Sequence, residues 1–208
     1  MLGESMNMFF GVVFSMAGAF SAPRCQSPID ILSSVGVAIE PLEKSRVEID
    51  HLSTEFQIGQ NFTFDFKTTS QDGLLFYASR RNDVHFMAAV ELRGGSIQYT
   101  IMCPWNDASL TIAKVRVDDG NWHTLGFRRG RFSGIITLDG VDFFGNYVLD
   151  CEGFTSVMFG GINPLHDGTP INRILQNKFG HFKGCIRNLR VSTGLEAPPY
   201  YVAVSECS

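Results

Sequence analysis

The stretch Asn61-Phe-Thr-Phe-Asp-Phe-Lys-Thr68 decides what kind of fold this chain adopts. Its phenylalanines at 62, 64 and 66 alternate with polar residues, and successive side chains of a β-strand point to opposite faces of the sheet. One face of this strand therefore packs on a core while the other meets water. The next run, Gly73 to Ser79 (GLLFYAS), is apolar on both faces and predicts an interior strand.

Short apolar runs separated by turn signals continue along the rest of the chain. The glycine turn Arg93-Gly94-Gly95 and the pair Asp139-Gly140 each separate two such runs, which is the signature of a β-hairpin. Trp122 to Arg129 predicts a further strand, and Phe182 to Val191 predicts a closing strand. Because no segment shows a long helical period, the pattern predicts an all-β sandwich or barrel.

Composition supports this fold class and limits the function classes. The 208 residues suffice for one domain plus a tail, and 18 Phe and 21 Gly favour strands joined by tight turns. The formal net charge of −4 argues against a nucleic-acid-binding protein, which usually carries a broad basic surface. The sequence contains no GxSxG, HExxH or phosphate-binding glycine loop, so we expect no catalytic residues and no cofactor.

The N-terminal end differs in composition from the rest. Met8 to Ala22 is apolar or small throughout, too short for a stable membrane span but suited to the hydrophobic region of a signal peptide. No Lys or Arg precedes Arg24, so an atypical leader or an unrelated flank is the alternative. We therefore expect a signal peptide or apolar leader over residues 1–22, a linker or poorly ordered lead-in over 23–45, and one domain over 46–207.

Six short motifs follow one another along the chain: FDFKTTSQDGLLFY (64–77), VEL (90–92), DGNWH (119–123), LDG (138–140), FGG (159–161) and FKGCIRNL (182–189). In this order and spacing the set resembles a laminin G-like domain, as found in laminin α chains, agrin, perlecan, neurexins and Fat-type cadherins. The resemblance implies an antiparallel jelly-roll β-sandwich of the laminin G-like or concanavalin-like type. It also implies a non-catalytic binding or adhesion module, secreted or in a matrix or receptor ectodomain.

The resemblance also bears on the cysteines. It implies that Cys185 and Cys207 form the family's terminal disulfide, which ties the last long strand to the C-terminal tail. Cys103 and Cys151 are not family hallmarks, and a bridge between them is the preferred pairing. Cys25 is then left over, and its partner would lie in another chain or outside this sequence.

Many members of the family hold one Ca²⁺ at the rim of the sandwich. The position of the usual first ligand, an Asp, is held here by Phe86, and Asp83 lies three residues earlier. The candidate source of a second ligand is the loop after Gly161, which contains Asn163, Asp167 and Asn172, but exposed polar side chains that hold no metal are the favoured interpretation. Because Phe offers no oxygen to a hard cation, we expect no family-type calcium site and no other metal site.

The partner implied by the resemblance is an extracellular protein or a sulfated glycan. Arg128, Arg129 and Arg131 form the densest basic cluster, and arginine recognises sulfate through its planar fork, so we interpret them as possible glycan-binding residues. A solvated charged face is the alternative. Other basic residues occur near the C-terminus at Lys178, Lys183, Arg187 and Arg190.

Individual residues carry further expectations. Asn61 opens the only N-x-S/T sequon and is a candidate for glycosylation. Trp122 is expected to bury a large aromatic surface, and His123 beside it to be structural. Two other functions compete with a binding role: a structural spacer in a larger matrix or receptor protein, and a jelly-roll glycosidase using Glu48 and Asp50 as its carboxylate pair.

Overall fold

Strands account for the regular structure of this chain. A computed structural model describes residues 29–42, 44–50, 52, 59–80, 83–103, 106–112, 114–129, 134–144, 154–163 and 180–207, apart from the side chains of 83–86, 103 and 106–108. Within these ranges no helix occurs, and so none that could span a membrane. The all-β prediction is confirmed.

The described strands form two antiparallel sheets that face each other as a sandwich. In chain order the strands are β1 (Val37–Ile39), β2 (Arg46–Ile49), β3 (Asn61–Lys67), β4 (Gly73–Arg80), β5 (Asp83–Arg93), β6 (Ser96–Cys103), β7 (Asn106–Ile112), β8 (Trp122–Arg129), β9 (Gly134–Leu138), β10 (Val141–Phe144), β11 (Ser156–Phe159), β12 (Gly184–Val191), β13 (Tyr200–Val202) and β14 (Val204–Glu206). The first sheet has the strand order β10-β9-β8-β3-β12-β1-β14, and the second has the order β13-β2-β11-β4-β5-β6-β7.

The core lies between the sheets, and β3 supplies its aromatic centre. Phe62, Phe64 and Phe66 are at most 1% exposed, whereas the residues between them are half-buried. The ring of Phe62 meets that of Phe76 in β4 edge-on at 4.7 Å, and Phe64 meets Phe159 in β11 in the same way at 5.2 Å. Such aromatic pairs contribute about 0.5–1.5 kcal/mol beyond the buried area. The predicted alternation in β3 is therefore confirmed, and the inward phenylalanines of β3 pack the two sheets together.

Strand β4 is buried on both faces, as its apolar run predicts. Leu75 and Phe76 face the main core, whereas Leu74 and Tyr77 belong to a second buried cluster on the opposite face of the sheet. The pairing with β5 shifts register between Leu74 and Phe76. This irregularity lets two adjacent side chains point into the same core, since a bulge locally interrupts the alternation.

Both predicted hairpins are present. Gly94 and Gly95 connect β5 to β6 with φ of 57° and 79°, and Asp139 and Gly140 connect β9 to β10 with φ of 50° and 81°. A two-residue hairpin whose central residues both have positive φ matches the right-handed twist of the strands.

The start of β12 is fixed by a glycine and a disulfide. Gly184 has a φ of 156°, and a Cβ at this position would collide with the carbonyl oxygen of Lys67 in β3. Cys185 follows and forms a disulfide with Cys207, with the two Cα atoms 5.8 Å apart. The bridge implied by the family resemblance is therefore present.

Part of the predicted linker over residues 23–45 belongs to the sandwich, so the boundary at residue 46 is too late. Strand β1 lies between β12 and β14, and its Val37 and Ile39 are at most 1% exposed. The Tyr201 hydroxyl donates a hydrogen bond to the carboxylate of Asp30 at 2.9 Å, which ties this segment to the C-terminal region. The local pattern gave no signal because β1 has three residues and pairs with strands near the far end of the chain.

Several predictions fall outside the described residues. These are the leader over residues 1–22, Cys25 and Cys151, while Cys103 lies in β6 with its side chain among those not described. The leader and the Cys103–Cys151 bridge therefore stay predictions.

We expect the double variant Cys185→Ser/Cys207→Ser to lose roughly 3 kcal/mol of unfolding free energy. The bridge spans 22 residues, and closing a loop of this length restricts the unfolded chain. Denaturant unfolding under non-reducing conditions measures the change. Cys25→Ser is the matched control and should keep the wild-type value. Equal stability of the double variant and the wild type would show that this bridge adds nothing.

Candidate binding face

The outward side of the first sheet presents an ordered set of polar and aromatic side chains. Trp122 and Thr124 of β8, Asp65 and Lys67 of β3, and Arg187 of β12 are named here the open face. Each is half-buried or exposed. Because the core phenylalanines occupy the even positions of β3, the odd positions must point away from the core. The strand register places Trp122 opposite Lys67, and it aligns Thr124, Asp65 and Arg187 across three strands.

Asp65 is the hub of the open face. Its carboxylate accepts hydrogen bonds from the Thr124 hydroxyl at 2.8 Å and from the Asn188 side-chain amide at 2.7 Å. The Nε of Arg187 lies 3.4 Å from the same carboxylate. Asn188 has a φ of 55°, at a register shift in β12, and Asn tolerates this left-handed conformation better than most residues. The irregularity in β12 thus brings the amide to Asp65 and fixes the geometry.

Trp122 forms the base on which the cations of the open face sit. The guanidinium carbon of Arg187 lies 3.7 Å from the centroid of the indole, and the Nζ of Lys67 lies 5.2 Å from it. A cation over an aromatic ring is attracted by the ring's negative face. The prediction that Trp122 buries its large surface is therefore met in part: the ring is half-buried, partly beneath Arg187.

A histidine with two carboxylate partners lies at the rim beside the open face. His123 places Nδ1 2.7 Å from the carboxylate of Asp139 and Nε2 3.1 Å from that of Asp119. Partial burial disfavours the imidazolium, but the hydrogen bonds to Asp139 and Asp119 outweigh it and raise the pKa of His123 above 6.5. Hydrogen bonds from the Asn121 backbone, the Asn121 side chain and His123 lower the pKa of Asp119 to about 2. This arrangement clamps the turn before β8 to the β9–β10 hairpin.

The structure separates the arginines that the sequence grouped as a glycan site. Arg128 is exposed on the same side of the sheet as the open face, opposite Asn61 in β3. Arg129 is 7% exposed, with its guanidinium carbon 5.6 Å from the ring centroid of Phe154. Arg131 lies outside the described residues. Adjacent residues of a strand point to opposite faces, so Arg128 and Arg129 do not share one surface.

The structure describes the side chains of only some of the candidate calcium ligands. The side chains of Asp83 and Phe86 are outside the described set, as are residues 167 and 172. The Asn163 amide donates to both carboxylate oxygens of Glu48, at 3.1 and 3.2 Å. Among the described residues, no three His, Cys, Asp or Glu side chains group together as metal ligands. The expectation of no family-type calcium site stays a prediction.

Glu48, one of the two carboxylates considered for a glycosidase, is buried and already paired with neighbouring side chains. Its side chain is 4% exposed, and Arg46 lies 2.6 Å from it in the same strand. Asp50, by contrast, is exposed and follows the end of β2 at Ile49. A buried carboxylate with fixed ionic and amide partners does not present itself to a sugar substrate.

Sequence reasoning missed the open face. The outward position of Asp65 follows from the alternation in β3, but the register that places Thr124 and Arg187 on either side of it does not. The positive φ of Asn188 had no turn signal such as glycine to announce it. Arg187 was grouped with other basic residues near the C-terminus, with no indication that it stacks on Trp122.

Comparison with known proteins agrees with this architecture. A family model described as the laminin G domain matches residues 66–194. Laminin subunit alpha of Drosophila melanogaster is 25% identical over 202 residues, covering 90% of this chain and 5% of that protein. The cadherin-related protein hmr-1 of Caenorhabditis elegans is 29% identical over 156 residues, covering 64% of this chain and 5% of that protein. The chain thus spans about one twentieth of the length of these curated relatives.

Solved structures show the same fold. Domains LG4-5 of the mouse laminin alpha1 chain align with a TM-score of 0.68 and 16% identity, covering 89% of this chain and 52% of that one. The LG1-3 region of the laminin alpha2 chain aligns with a TM-score of 0.66 and 18% identity, covering 85% of this chain and 35% of that one.

We expect the free energy of unfolding to fall as pH rises above about 6.5, through the deprotonation of His123. The folded-state pKa is raised, so its contribution is complete below the unfolded value of 6.5 and is lost as pH passes the folded value. Denaturant unfolding over a pH series measures the slope, and an NMR titration of the imidazole measures the pKa. His123→Gln should remove this part of the slope. A folded-state pKa at or below 6.5 would contradict the assignment.

Proposed function

The chain belongs to the laminin G domain family, and we propose that it is a non-catalytic extracellular module for binding and adhesion. Its partners are cell-surface or matrix proteins or glycans. The Cys185–Cys207 disulfide supports an extracellular location, because such bonds form and persist in oxidising compartments. The relatives named laminin and cadherin-related supply further support for this class of role.

The observation that carries the proposal is the fixed geometry of the open face. Charged side chains that merely keep a surface soluble are usually mobile and form weak pairs. Here Asp65 accepts three hydrogen bonds, and the guanidinium of Arg187 lies over the ring of Trp122 while 29% of the Arg187 side chain is exposed. Residues held in place and still accessible are pre-organised for contact with a partner, which lowers the entropic penalty of binding.

A glycosidase is less well supported by the described residues. The mechanism needs two carboxylates that flank the scissile bond and reach the substrate. Glu48 is buried against Arg46 and Asn163, so the pair with Asp50 does not meet this need. A structural spacer remains the competing role, and it differs from a binding module in having no saturable partner.

The isolated domain, expressed with a secretion signal and a tag, should bind saturably to cultured animal cells or to the matrix they deposit. Binding to cells treated with heparan-sulfate-degrading enzymes separates protein partners from glycan partners. The double variant Asp65→Asn/Arg187→Gln, which dismantles the open face, should weaken binding at least about tenfold, as expected when interface anchors are removed. Lys114→Gln, an exposed cation outside that face, is the matched control.

The two competing roles have distinct outcomes in this experiment. Unsaturable or absent binding by the folded wild-type domain would favour a spacer. Turnover in a hydrolysis screen on sulfated and neutral glycans would overturn the non-catalytic role altogether.

Asn61 should carry an N-linked glycan when the chain is made in the secretory pathway of animal cells. It is exposed at the first position of β3, and it begins the sequon Asn61-Phe62-Thr63. Treatment with peptide N-glycosidase followed by mass spectrometry should show one lost glycan for the wild type and none for Thr63→Ala. Thr63→Ser keeps the sequon and is the matched control. An unmodified Asn61 in secreted wild-type protein would refute this assignment.

A further inference from the structure

We infer that the open face binds an acidic segment of a protein partner, with the guanidinium of Arg187 receiving a carboxylate and Trp122 holding that guanidinium in position. This inference rests on the proposed binding function and names the partner chemistry of the same face. It follows from how Arg187 is held, from the distribution of charge on the sheet, and from what surrounds the site.

Arg187 is arranged as a receptor for a planar anion. Its guanidinium lies against the indole of Trp122 at 3.7 Å, while its Nε faces the carboxylate of Asp65 at 3.4 Å. These two contacts fix the plane of the group through its face and one edge. Among the described residues, Nη1 and Nη2 take part in no hydrogen bond or ion pair, and only Nε faces a carboxylate, so these two donors are left for a ligand. Two parallel N–H donors match the two oxygens of a carboxylate, and a pre-oriented fork loses little entropy on binding.

The charges around Arg187 favour an anionic ligand of low charge. Lys67 lies over the same indole at 5.2 Å, so two cations share Trp122, whereas the whole chain has a formal charge of −4. Asp65 of β3 lies between Arg187 of β12 and Thr124 of β8, and 20% of its side chain is exposed. A single carboxylate can approach Arg187 without facing Asp65. A polysulfated chain laid across the sheet would instead bring several sulfates close to the negative charge of Asp65. Like charges brought together at an interface discriminate against that class of ligand.

Among the described residues, Arg128, Arg129 and Arg190 do not join Arg187 in a basic cluster, although the exposed Lys183 lies beside the Lys67 end of β3, where its carbonyl oxygen accepts a hydrogen bond from the Thr68 hydroxyl. Arg128 lies opposite Asn61 at the other end of β3 from Lys67, a separation of about 20 Å at the usual rise of a strand. Arg129 is buried. Arg190 donates to the carbonyl oxygens of Leu32, in the turn before β1, and of Leu189, in its own strand, so its guanidinium is held by the backbone.

The composition of the site also suits a protein partner. Trp and Arg are the residues most enriched at the energetic centres of protein interfaces. A glycan on Asn61 would be attached at the far end of β3, again about 20 Å from Lys67 along the strand. Glycosylation and partner binding can therefore occur together.

The test uses a blocked leucine-rich peptide that carries a single glutamate, its glutamine counterpart and a heparin octasaccharide as probes. In a Trp105→Phe background Trp122 is the remaining tryptophan of the two in the chain, so its fluorescence reports on the open face. We expect the glutamate peptide to change this fluorescence saturably and the glutamine peptide to bind at least about tenfold more weakly. Arg187→Gln should lower the affinity for the glutamate peptide by at least about tenfold, since charge-assisted bidentate pairs are strong.

Matched variants separate the geometry of the fork from its charge. Arg187→Lys keeps the charge but loses the planar fork, and should fall between the wild type and Arg187→Gln. Lys114→Gln removes an exposed cation elsewhere and should bind like the wild type. If a thermal-unfolding measurement shows that Arg187→Gln is not folded, Lys67→Gln is used in its place. The affinity of Lys67→Gln for the glutamate peptide should then be about threefold or more lower than that of the wild type.

The outcomes separate this inference from the proposed function. Equal binding of the two peptides, or binding of the glutamate peptide unaffected by these variants, would overturn the acidic-peptide inference. Stronger binding of the octasaccharide that depends on Arg187 would overturn it in favour of a sulfated glycan. Saturable binding to cells or matrix that Arg187→Gln leaves intact would refute this inference and the assignment of binding to the open face, but not a binding role for the domain. Absence of any such binding by the wild type would refute the proposed function itself.

Discussion

The edge-to-face contacts between phenylalanines of the two sheets constrain everything else in this molecule. Phe62 and Phe64 of β3 meet Phe76 and Phe159 of the second sheet at 4.7 and 5.2 Å. A strand that has committed every second side chain to such contacts cannot slip by one residue, because the slip would bury its polar face. The interior of the sandwich therefore determines which side chains of β3 lie outside.

The packing of the core also determines which side chains form the open face. Asp65 lies between Phe64 and Phe66, so it is fixed on the outside as firmly as they are on the inside. The neighbouring strands β8 and β12 then place Thr124 and Arg187 on either side of it. The same alternation in β8 turns Trp122 outward beneath Arg187 and His123 toward the rim, where its ring lies 5.7 Å from that of Phe66. The core, the open face and the contacts of His123 at the rim thus share one set of strand registers.

The elements differ in how far local sequence predicts them, and the difference has a physical origin. Strand β3 and the two glycine hairpins follow from contacts between residues close together in the chain, which leave a readable pattern. Strand β1 does not, because it is stabilised by β12 and β14, more than 140 residues later in the sequence. The separation of Arg128 from Arg129 was already implied by strand alternation, whereas the stacking of Arg187 on Trp122 depends on the pairing of three strands and was not.

The sequence by itself determined the all-β class, the inward face of β3, the hairpin turns and, through the ordered motifs, the family and its terminal disulfide. These features depend on the period of the chain, on backbone conformations that few residues allow, or on spacings that recur as a set. The tertiary structure alone decided that residues before 46 join the first sheet, that Glu48 is buried against Arg46 and Asn163, and that Asp65, Trp122 and Arg187 form one surface. Each of these depends on which strands lie side by side and in which register, and that is set by the packing of the whole core rather than by any local stretch.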